Sequence, residues 1–295
     1  EIALNTRLIQ TKDFSWDLNL NFSKNNNKVK ELVDGMDMFE LEKAPWLDVQ
    51  VAAKVGENFG SIVGPDFKRS PNGDVLISAQ TGLPEYDKSN HVLGNASWDW
   101  TGGASTTLTY KNLSLSAIFD VKVGADLYSM SARAAYESGK SKETLAGREE
   151  WYMSEEQRQA AGIAKGSAAW KPTAGFVAPG VIDNGDGTYR ANDIRINPED
   201  YWMSVSRNAP SMFIYDNSYV KCRELTLSYN VPKLWLKDVV KGLTLSFVAR
   251  NPFIVWKNIP NIDPDSNYNN TTGMGMEYGS LPSRKSYGFN VNVKF

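Results

Sequence analysis

A strict alternation of apolar and polar residues runs from Phe14 to Ser23. Phe, Trp or Leu stands at every even position, and Ser, Asp or Asn at every odd position. As a β-strand this segment has one apolar and one polar face, whereas in a helix the same apolar residues would be scattered around the axis. It also has the roughly 9–11 residues that a tilted strand needs to cross a bilayer. We therefore predict a β-strand here.

The same period of two recurs along the chain and predicts nine strands in all. The other regular segments are 106–110, 113–119, 225–229, 243–247 and 287–295, and the less regular ones are 2–11, 48–56 and 59–67. A soluble β-sandwich also has alternating strands, with the apolar face turned into its core. The alternation by itself therefore leaves a membrane barrel and a soluble sandwich open.

The lengths of the connections favour the barrel. Tight turns are expected at 11–13, near Asn58 and at 111–112, and the segment 231–241 is also short. The long connections that alternate with them are 26–47, 68–100, 125–216 and 254–283. Outer-membrane barrels have this asymmetry, with short periplasmic turns and long external loops. An odd set of antiparallel strands leaves two edges unpaired in lipid, so we expect the remaining strands to come from elsewhere.

Composition narrows the function classes. With 32 basic and 34 acidic residues the net charge is -2, which does not favour nucleic-acid binding. No apolar run approaches the ~18 residues of a membrane helix. The single cysteine, Cys222, allows no intrachain disulfide, and the single histidine, His91, makes a zinc site or a Ser-His-Asp site improbable. We expect no cofactor, no metal and no enzymatic activity.

Several sequence motifs, in order along nearly the whole chain, resemble the SusC/RagA class of TonB-dependent outer-membrane transporters. They are Leu93–Gly103, Thr109–Ser116, Ser218–Pro232, Ile259–Pro264 and Leu281–Phe295. Two positions depart from the pattern: Cys222 stands where an aliphatic residue is common, and Pro252 follows Asn251 where an apolar residue is usual.

The resemblance implies an all-β fold: the C-terminal strands, with long extracellular loops, of a large transmembrane barrel in the bacterial outer membrane. Members have 22 strands around a plug, which matches the size class of such transporters. The resemblance further implies a SusD-like surface lipoprotein as a lid, TonB acting through the plug, and import of oligosaccharides or peptides. Residues 1–295 correspond to C-terminal strands and loops, so the plug and the first strands would lie in another chain or a missing segment.

The connection 125–216 is large enough to be folded and functional. Leu127, Met130 and Ala134 recur at helical spacing before Gly139 and predict a helix. The capping-box pattern Ser154–Gln157 predicts a second helix that begins there and ends at Gly162.

Aromatic residues of this loop are candidates for binding substrate or partner. They are Trp151, Tyr152, Trp170, Tyr189, Tyr201 and Trp202. They could stack on sugar rings or pack against the lid protein; alternatively, they form a small core of the loop itself.

Polar residues on the other parity of the strands are predicted to face the lumen, because a charge on the lipid side would cost about 2–4 kcal/mol near the midplane. These residues are Asp17, Asn19, Asn21, Asp120, Lys122, Glu224 and Arg250.

Other acidic patterns have simpler interpretations. Asp183–Tyr189 resembles half of a calcium loop but lacks the required Glu, so a hairpin turn is favoured, as it is for Asn72–Asp74. Asp193, Glu199 and Asp200 could supply the carboxylate pair of a glycosidase. Alternative functions are therefore a soluble β-fold glycan-binding protein or glycoside hydrolase, and a passive porin.

Overall fold

The computed structural model describes residues 1–43, 49–236, 240–269 and 273–295. The strands are β1 (Ile2–Gln10), β2 (Phe14–Ser23), β3 (Met38–Lys43), β4 (Gln50–Lys54), β5 (Ser61–Phe67), β6 (Tyr86–Asn95), β7 (Trp100–Tyr110), β8 (Leu113–Val123), β9 (Asp126–Ser129), β10 (Phe176–Val177), β11 (Val181–Asp183), β12 (Tyr189–Ala191), β13 (Arg195–Ile196), β14 (Ile214–Asp216), β15 (Tyr219–Asn230), β16 (Gly242–Lys257), β17 (Met276–Glu277) and β18 (Ser286–Lys294). The helices are α1 (Met130–Glu137), α2 (Arg148–Ala160) and α3 (Pro198–Asn208), with short 3-10 helices at Lys142–Leu145, Pro210–Phe213 and Lys233–Trp235. None of the helices in these ranges is both long and apolar enough to cross a membrane.

Seven strands form one antiparallel sheet, the main sheet, in the order β1-β2-β7-β8-β15-β16-β18. Its short connections are 11–13, 111–112 and 231–241, and its long ones are 24–99, 124–218 and 258–285. Because the strands are antiparallel, the three short connections lie at one end of the sheet and the three long ones at the other. We call the three long connections together the connecting region.

One face of the main sheet is apolar and uncovered. The strand registers align a row of apolar side chains across all seven strands: Ile9, Trp16, Leu108, Leu115, Leu227, Phe247 and Phe289. Leu115 and Leu227 are each 44% exposed, and Phe289 is 86% exposed. A β-sandwich would bury this row in its core, whereas within the described residues the row stays uncovered.

The prediction of nine barrel strands is wrong for two of them. The predicted strands 48–56 and 59–67 correspond to β4 and β5, which pair with β3 and β6 in a separate four-stranded sheet; Asp48 lies outside the described residues. Their inner residues are buried on both faces, which gives continuous apolar runs rather than a lipid-facing alternation. Segments 26–47 and 68–100 are consequently parts of one long connection.

The hydrophobic core of the chain lies in the connecting region. One cluster includes Phe67, Tyr201 and Val205, and a second includes Ile62 and Phe213. No residue of either cluster belongs to a strand of the main sheet in the described ranges. The connecting region therefore packs around its own interior, as a folded unit at one end of the sheet.

The helix predictions in 125–216 are only partly correct. Helix α1 ends before Gly139 as expected, but Leu127 belongs to strand β9. Helix α2 begins at Arg148, and Ser154 lies inside it, where the buried hydroxyl accepts a hydrogen bond from the Thr173 backbone at 3.0 Å. The contact with Thr173, rather than a role in a capping box, accounts for a serine at this buried position.

Candidate functional site

The polar face of the main sheet carries the residues predicted to face a lumen. All seven, Asp17, Asn19, Asn21, Asp120, Lys122, Glu224 and Arg250, lie on the face opposite the apolar row. Hydrogen bonds between neighbouring strands join this face: Asn19 donates to Ser105 at 3.1 Å, and the hydroxyls of Thr107 and Ser116 are 2.9 Å apart. The face is hydrophilic and ordered by its own contacts.

At the end of this face near the connecting region, an ionic network joins the sheet to the 258–285 connection. We call it the Lys221 cluster; it comprises Asp120, Tyr219, Lys221, Arg223, Asp263, Asp265 and Ser283. Lys221 donates to Asp263 at 3.0 Å and also to Asp265 and Ser283. Arg223 donates to Asp120 at 3.1 Å and to Asp265 at 2.8 Å. Thus β8, β15 and the connection are held together at one point.

A β-bulge makes this arrangement possible. The pairing of β15 with β8 shifts between Cys222 and Glu224, so Arg223 is the extra residue of the bulge. Without the bulge, Arg223 would share the apolar face with Leu225 and Leu227. The bulge reverses the alternation and places Arg223 with Lys221 on the polar side.

The electrostatics of the Lys221 cluster favour ionised carboxylates. Burial opposes ionisation, but hydrogen bonds from Ser283 and Lys221 hold the pKa of Asp263 below its usual value. For Asp265, burial is likewise outweighed by Arg223 and Lys221, which lower its pKa. The Lys221 side chain is 2% exposed, so its charge is compensated almost entirely by these partners.

A small polar cavity of 210 Å³ lies beside the cluster. Lys122, Asp126, Asn217 and Asp265 line it, and the Lys122 ammonium is 5.5 Å from the ring centre of Trp98. Burial raises the pKa of Asp126, against a hydrogen bond from the Asn95 backbone.

The aromatic candidates of the connecting region separate into different environments. Tyr201 and Trp202 are buried in the hydrophobic core, so for these two the alternative of a loop core is the better description. Trp151, Tyr152 and Trp202 line a common cavity of 430 Å³ between the three helices, whereas Trp170 and Tyr189 do not line it.

The acidic motifs form local structure. Asp183 and Tyr189 close a hairpin of β11 and β12, and Asp183 accepts from Gly185 while Asp186 accepts from Thr188. At 72–74 the chain also turns, with Gly73 at a φ of 91°. Within the described ranges no group of three or more His, Cys, Asp or Glu side chains is placed to hold a metal ion.

The three acidic residues considered for hydrolysis are also accounted for individually. Asp193 is bonded to Arg190 at 2.8 Å, while Glu199 and Asp200 are consecutive residues in the first turn of α3. Burial, with the neighbouring Glu199, raises the pKa of Asp200.

Of the Lys221 cluster, the sequence indicated only Asp120, as a residue facing the lumen. Lys221, Arg223 and Asp263 stand inside the motifs Ser218–Pro232 and Ile259–Pro264, but 42 residues separate Lys221 from Asp263. The only available signal was the recurrence of charges in two short motifs otherwise rich in apolar residues.

The fold of the chain resembles part of solved transporter structures. Two solved structures match it along 99% of its length at 16% identity: the RagAB peptide transporter, with a TM-score of 0.59 and 28% of that chain covered, and the RagAB peptide importer in its closed-closed state, with a TM-score of 0.61 and 29% covered. Identity at this level establishes the fold, namely part of a transporter barrel.

The curated relatives that the chain matches are TonB-dependent receptors. The chain is 25% identical over its whole length to TonB-dependent receptor P3 of Formosa agariphila, covering 28% of that protein, and 25% identical over 90% of its length to TonB-dependent receptor SusC of Bacteroides thetaiotaomicron, covering 23%. No family model matches. The resemblance to the SusC/RagA class of TonB-dependent outer-membrane transporters is confirmed, and the chain spans between about a quarter and a third of the length of these relatives. They are named as receptors and transporters, not as enzymes.

Proposed function

We propose that this chain forms part of the wall and the external loops of a TonB-dependent importer in the bacterial outer membrane. The observation that carries the proposal is the uncovered apolar row from Ile9 to Phe289, which acyl chains would cover. A continuous exposed apolar face marks a surface that meets another apolar phase, and an outward apolar band with a polar interior is the pattern of transmembrane barrels.

The polar face would then line the lumen, with the connecting region outside the cell. In the described ranges β1 and β18 are the edge strands of the main sheet, and open edges are not tolerated in lipid. Further strands, from another chain or another segment, would close the barrel around a plug. TonB would act on that plug, and a SusD-like lipoprotein would cover the connecting region.

The solute is an oligosaccharide or a peptide, and the mechanism is binding and passage without bond chemistry. The polar residues of the lumen face and the cavities near the connecting region offer hydrogen-bonding groups. Transport would draw on the inner-membrane proton gradient through TonB.

Uptake by intact cells tests this proposal. Cells with and without the gene would be given labelled oligosaccharides and labelled peptides, in the presence and absence of a protonophore. We expect gene-dependent uptake that the protonophore abolishes. Gene-dependent uptake that persists with the protonophore would instead indicate a passive porin, and extraction of the full-length protein from cells without detergent would indicate a soluble protein.

A further inference from the structure

The end of the main sheet that carries the short connections has a concentration of positive charge. Within the described residues the three short connections hold four lysines and one aspartate, Asp13, whereas the whole chain has a net charge of -2. All four lysines are exposed, and none of their ammonium groups makes a hydrogen bond or an ion pair within the part of the chain that the structure describes. We call these lysines the basic rim; they are Lys12, Lys111, Lys233 and Lys241.

Backbone hydrogen bonds hold neighbouring short connections side by side. The Lys111 amide donates to the Asp13 carbonyl at 2.7 Å, which joins the first two connections. The Asn230 amide donates to the Asn112 carbonyl at 2.8 Å, and the Asn112 side chain donates to the Asn230 carbonyl at 2.7 Å, directly before the connection 231–241. The rim is therefore carried on a row of joined turns and not on independent loops.

The apolar face of the sheet ends in aromatic residues immediately before the rim. Strand register aligns Phe14, Tyr110, Leu113 and Tyr229 as the last row of this face at the short connections. Aromatic side chains gather where the acyl chains of a bilayer meet its headgroups. Lys111 directly follows this row, and its ammonium is 5.4 Å from the ring centre of Tyr110. Its charge therefore lies at the edge of the apolar face, at the level expected for headgroups.

The connection 231–241 also presents large apolar side chains. In its short 3-10 helix, Lys233–Trp235, the side chain of Leu234 is 97% exposed and that of Trp235 is 71% exposed. Exposed apolar groups beside lysines are the composition of a segment that lies in a membrane interface, where the apolar groups reach the acyl boundary and the ammonium groups stay among the headgroups. The interface would cover both side chains.

The charge of the rim selects among possible ligands at this level. The phosphate diester of a lipid headgroup supplies negative charge and acceptor oxygens for an ammonium group, and lysines near a membrane surface favour anionic lipids. A zwitterionic headgroup brings its own cation to the rim, so it gains less. An acidic protein could also neutralise lysines, but it would have to displace lipid from Tyr110 to reach the ammonium of Lys111.

We propose that the basic rim binds the headgroups of anionic phospholipids in the leaflet at the short-connection end of the sheet, with Tyr110 and Trp235 at the boundary between headgroups and acyl chains. The inference rests on the proposed membrane location, under which this end is periplasmic. It adds a lipid-binding surface at the end opposite the connecting region.

Fluorescence quenching in lipid vesicles tests the proposal. A fluorophore is attached to the full-length protein through Leu234→Cys, in a Cys222→Ala background. The vesicles are phosphatidylcholine with a small fraction of a lipid spin-labelled near the top of an acyl chain, either phosphatidylcholine or phosphatidylglycerol. Because each lysine at a membrane surface favours an anionic lipid about fivefold, we expect phosphatidylglycerol to quench at a concentration about fivefold lower or less. High salt should reduce this preference.

Variants of the rim test which charges create the preference. Lys111→Gln combined with Lys241→Gln should bring the two lipids close to equal quenching, whereas Lys111→Arg combined with Lys241→Arg should keep the preference. The matched control is Lys140→Gln combined with Lys171→Gln, at two exposed lysines of the connecting region. It removes the same charge and should leave the preference unchanged.

A second fluorophore position separates this inference from the proposed function. At position 227, on the apolar row, both spin-labelled lipids should quench. If they do, but the fluorophore at 234 shows no preference for phosphatidylglycerol, or a preference that survives the glutamine variants of the rim, the inference is wrong and the proposed wall stands. If neither lipid quenches at 227, the membrane location is wrong and the inference fails with it.

Discussion

Replacing Lys221 with Met should release the 258–285 connection from the sheet. The substitution keeps most of the side-chain stem and removes the ammonium group, which lies 3.0 Å from Asp263 and is 2% exposed. Removing one partner of a buried ion pair costs about 3–5 kcal/mol, because the other charge stays buried without compensation. Asp265 keeps its bonds to Arg223, so we expect the lower end, about 3 kcal/mol.

Hydrogen exchange of the full-length protein measures this loss locally. The amides of Ser283 and Asp265 both donate to Asp263 at 3.0 Å, so their protection reports whether the connection is docked. A loss of about 3 kcal/mol corresponds to roughly 100-fold faster exchange through local opening. Adding Asp263→Asn to Lys221→Met removes one uncompensated charge but leaves a single acceptor oxygen at position 263. Protection should therefore return in part at no more than one of the two amides.

The neighbouring Arg250–Glu224 pair supplies the control. It joins β15 to β16 with its atoms 3.2 Å apart, but the Arg250 side chain is 69% exposed. Exposed pairs contribute about 0–1 kcal/mol, so Arg250→Met should change exchange of the connection by less than about fivefold. Equal exchange in the Lys221 and Arg250 variants would refute the assignment of the cluster as a buried anchor.

Three further results are expected. The pKa of Asp265 is lowered in the folded protein. Its contribution to docking of the 258–285 connection is therefore present above its unfolded pKa of about 4 and is lost as pH falls below that value. Hydrogen exchange of the connection, measured from neutral to acid pH, should show this loss, and a flat profile would contradict it. Gly124→Ala should destabilise the protein by about 1–3 kcal/mol, because Gly124 has a φ of 88° and a Cβ there would clash with the Asp99 carboxylate. The control Gly288→Ala, where a Cβ meets open space, should leave the midpoint of denaturant unfolding unchanged. Equal midpoints for the two variants would contradict this prediction. Burial raises the pKa of Tyr86 to about 12. Its neutral phenol therefore contributes stability that is present below its usual pKa of 10.0 and is lost as pH rises through about 12. The difference in ultraviolet titration between the protein and Tyr86→Phe should locate this ionisation, and a difference centred near pH 10 would contradict the prediction.

The strands of the main sheet could be predicted because each has one face uncovered by protein. In Phe14–Ser23 the two faces meet different surroundings, so the sequence alternates. Strands β4 and β5 have no such contrast, since both of their faces are buried, and their apolar runs were assigned to the wrong sheet. A strand could therefore be recognised from its local sequence, whereas the sheet to which it belongs could not.

A candidate residue could be placed from the sequence only where the alternation along a strand determines the face on which it lies. The common face of Asp17, Glu224 and Arg250 follows from the period of two. The partner of Lys221 does not, because Asp263 lies in a distant connection and a bulge displaces Arg223. Likewise, Ser154 matched a capping pattern, whereas its actual partner, Thr173, depends on the fold of the connecting region.

Spin-label accessibility along β15 tests directly whether the apolar row meets lipid. With Cys222, the single cysteine, replaced by Ala, a label would be placed in turn at each position from 225 to 229 of the full-length protein in lipid vesicles. Because Leu225 and Leu227 are on the apolar face and Thr226 and Ser228 on the polar face, we expect labels at 225 and 227 to collide with membrane-dissolved oxygen and labels at 226 and 228 with a water-soluble nickel chelate. Labels at 225 and 227 that are shielded from both, as in a protein core, would contradict the membrane assignment.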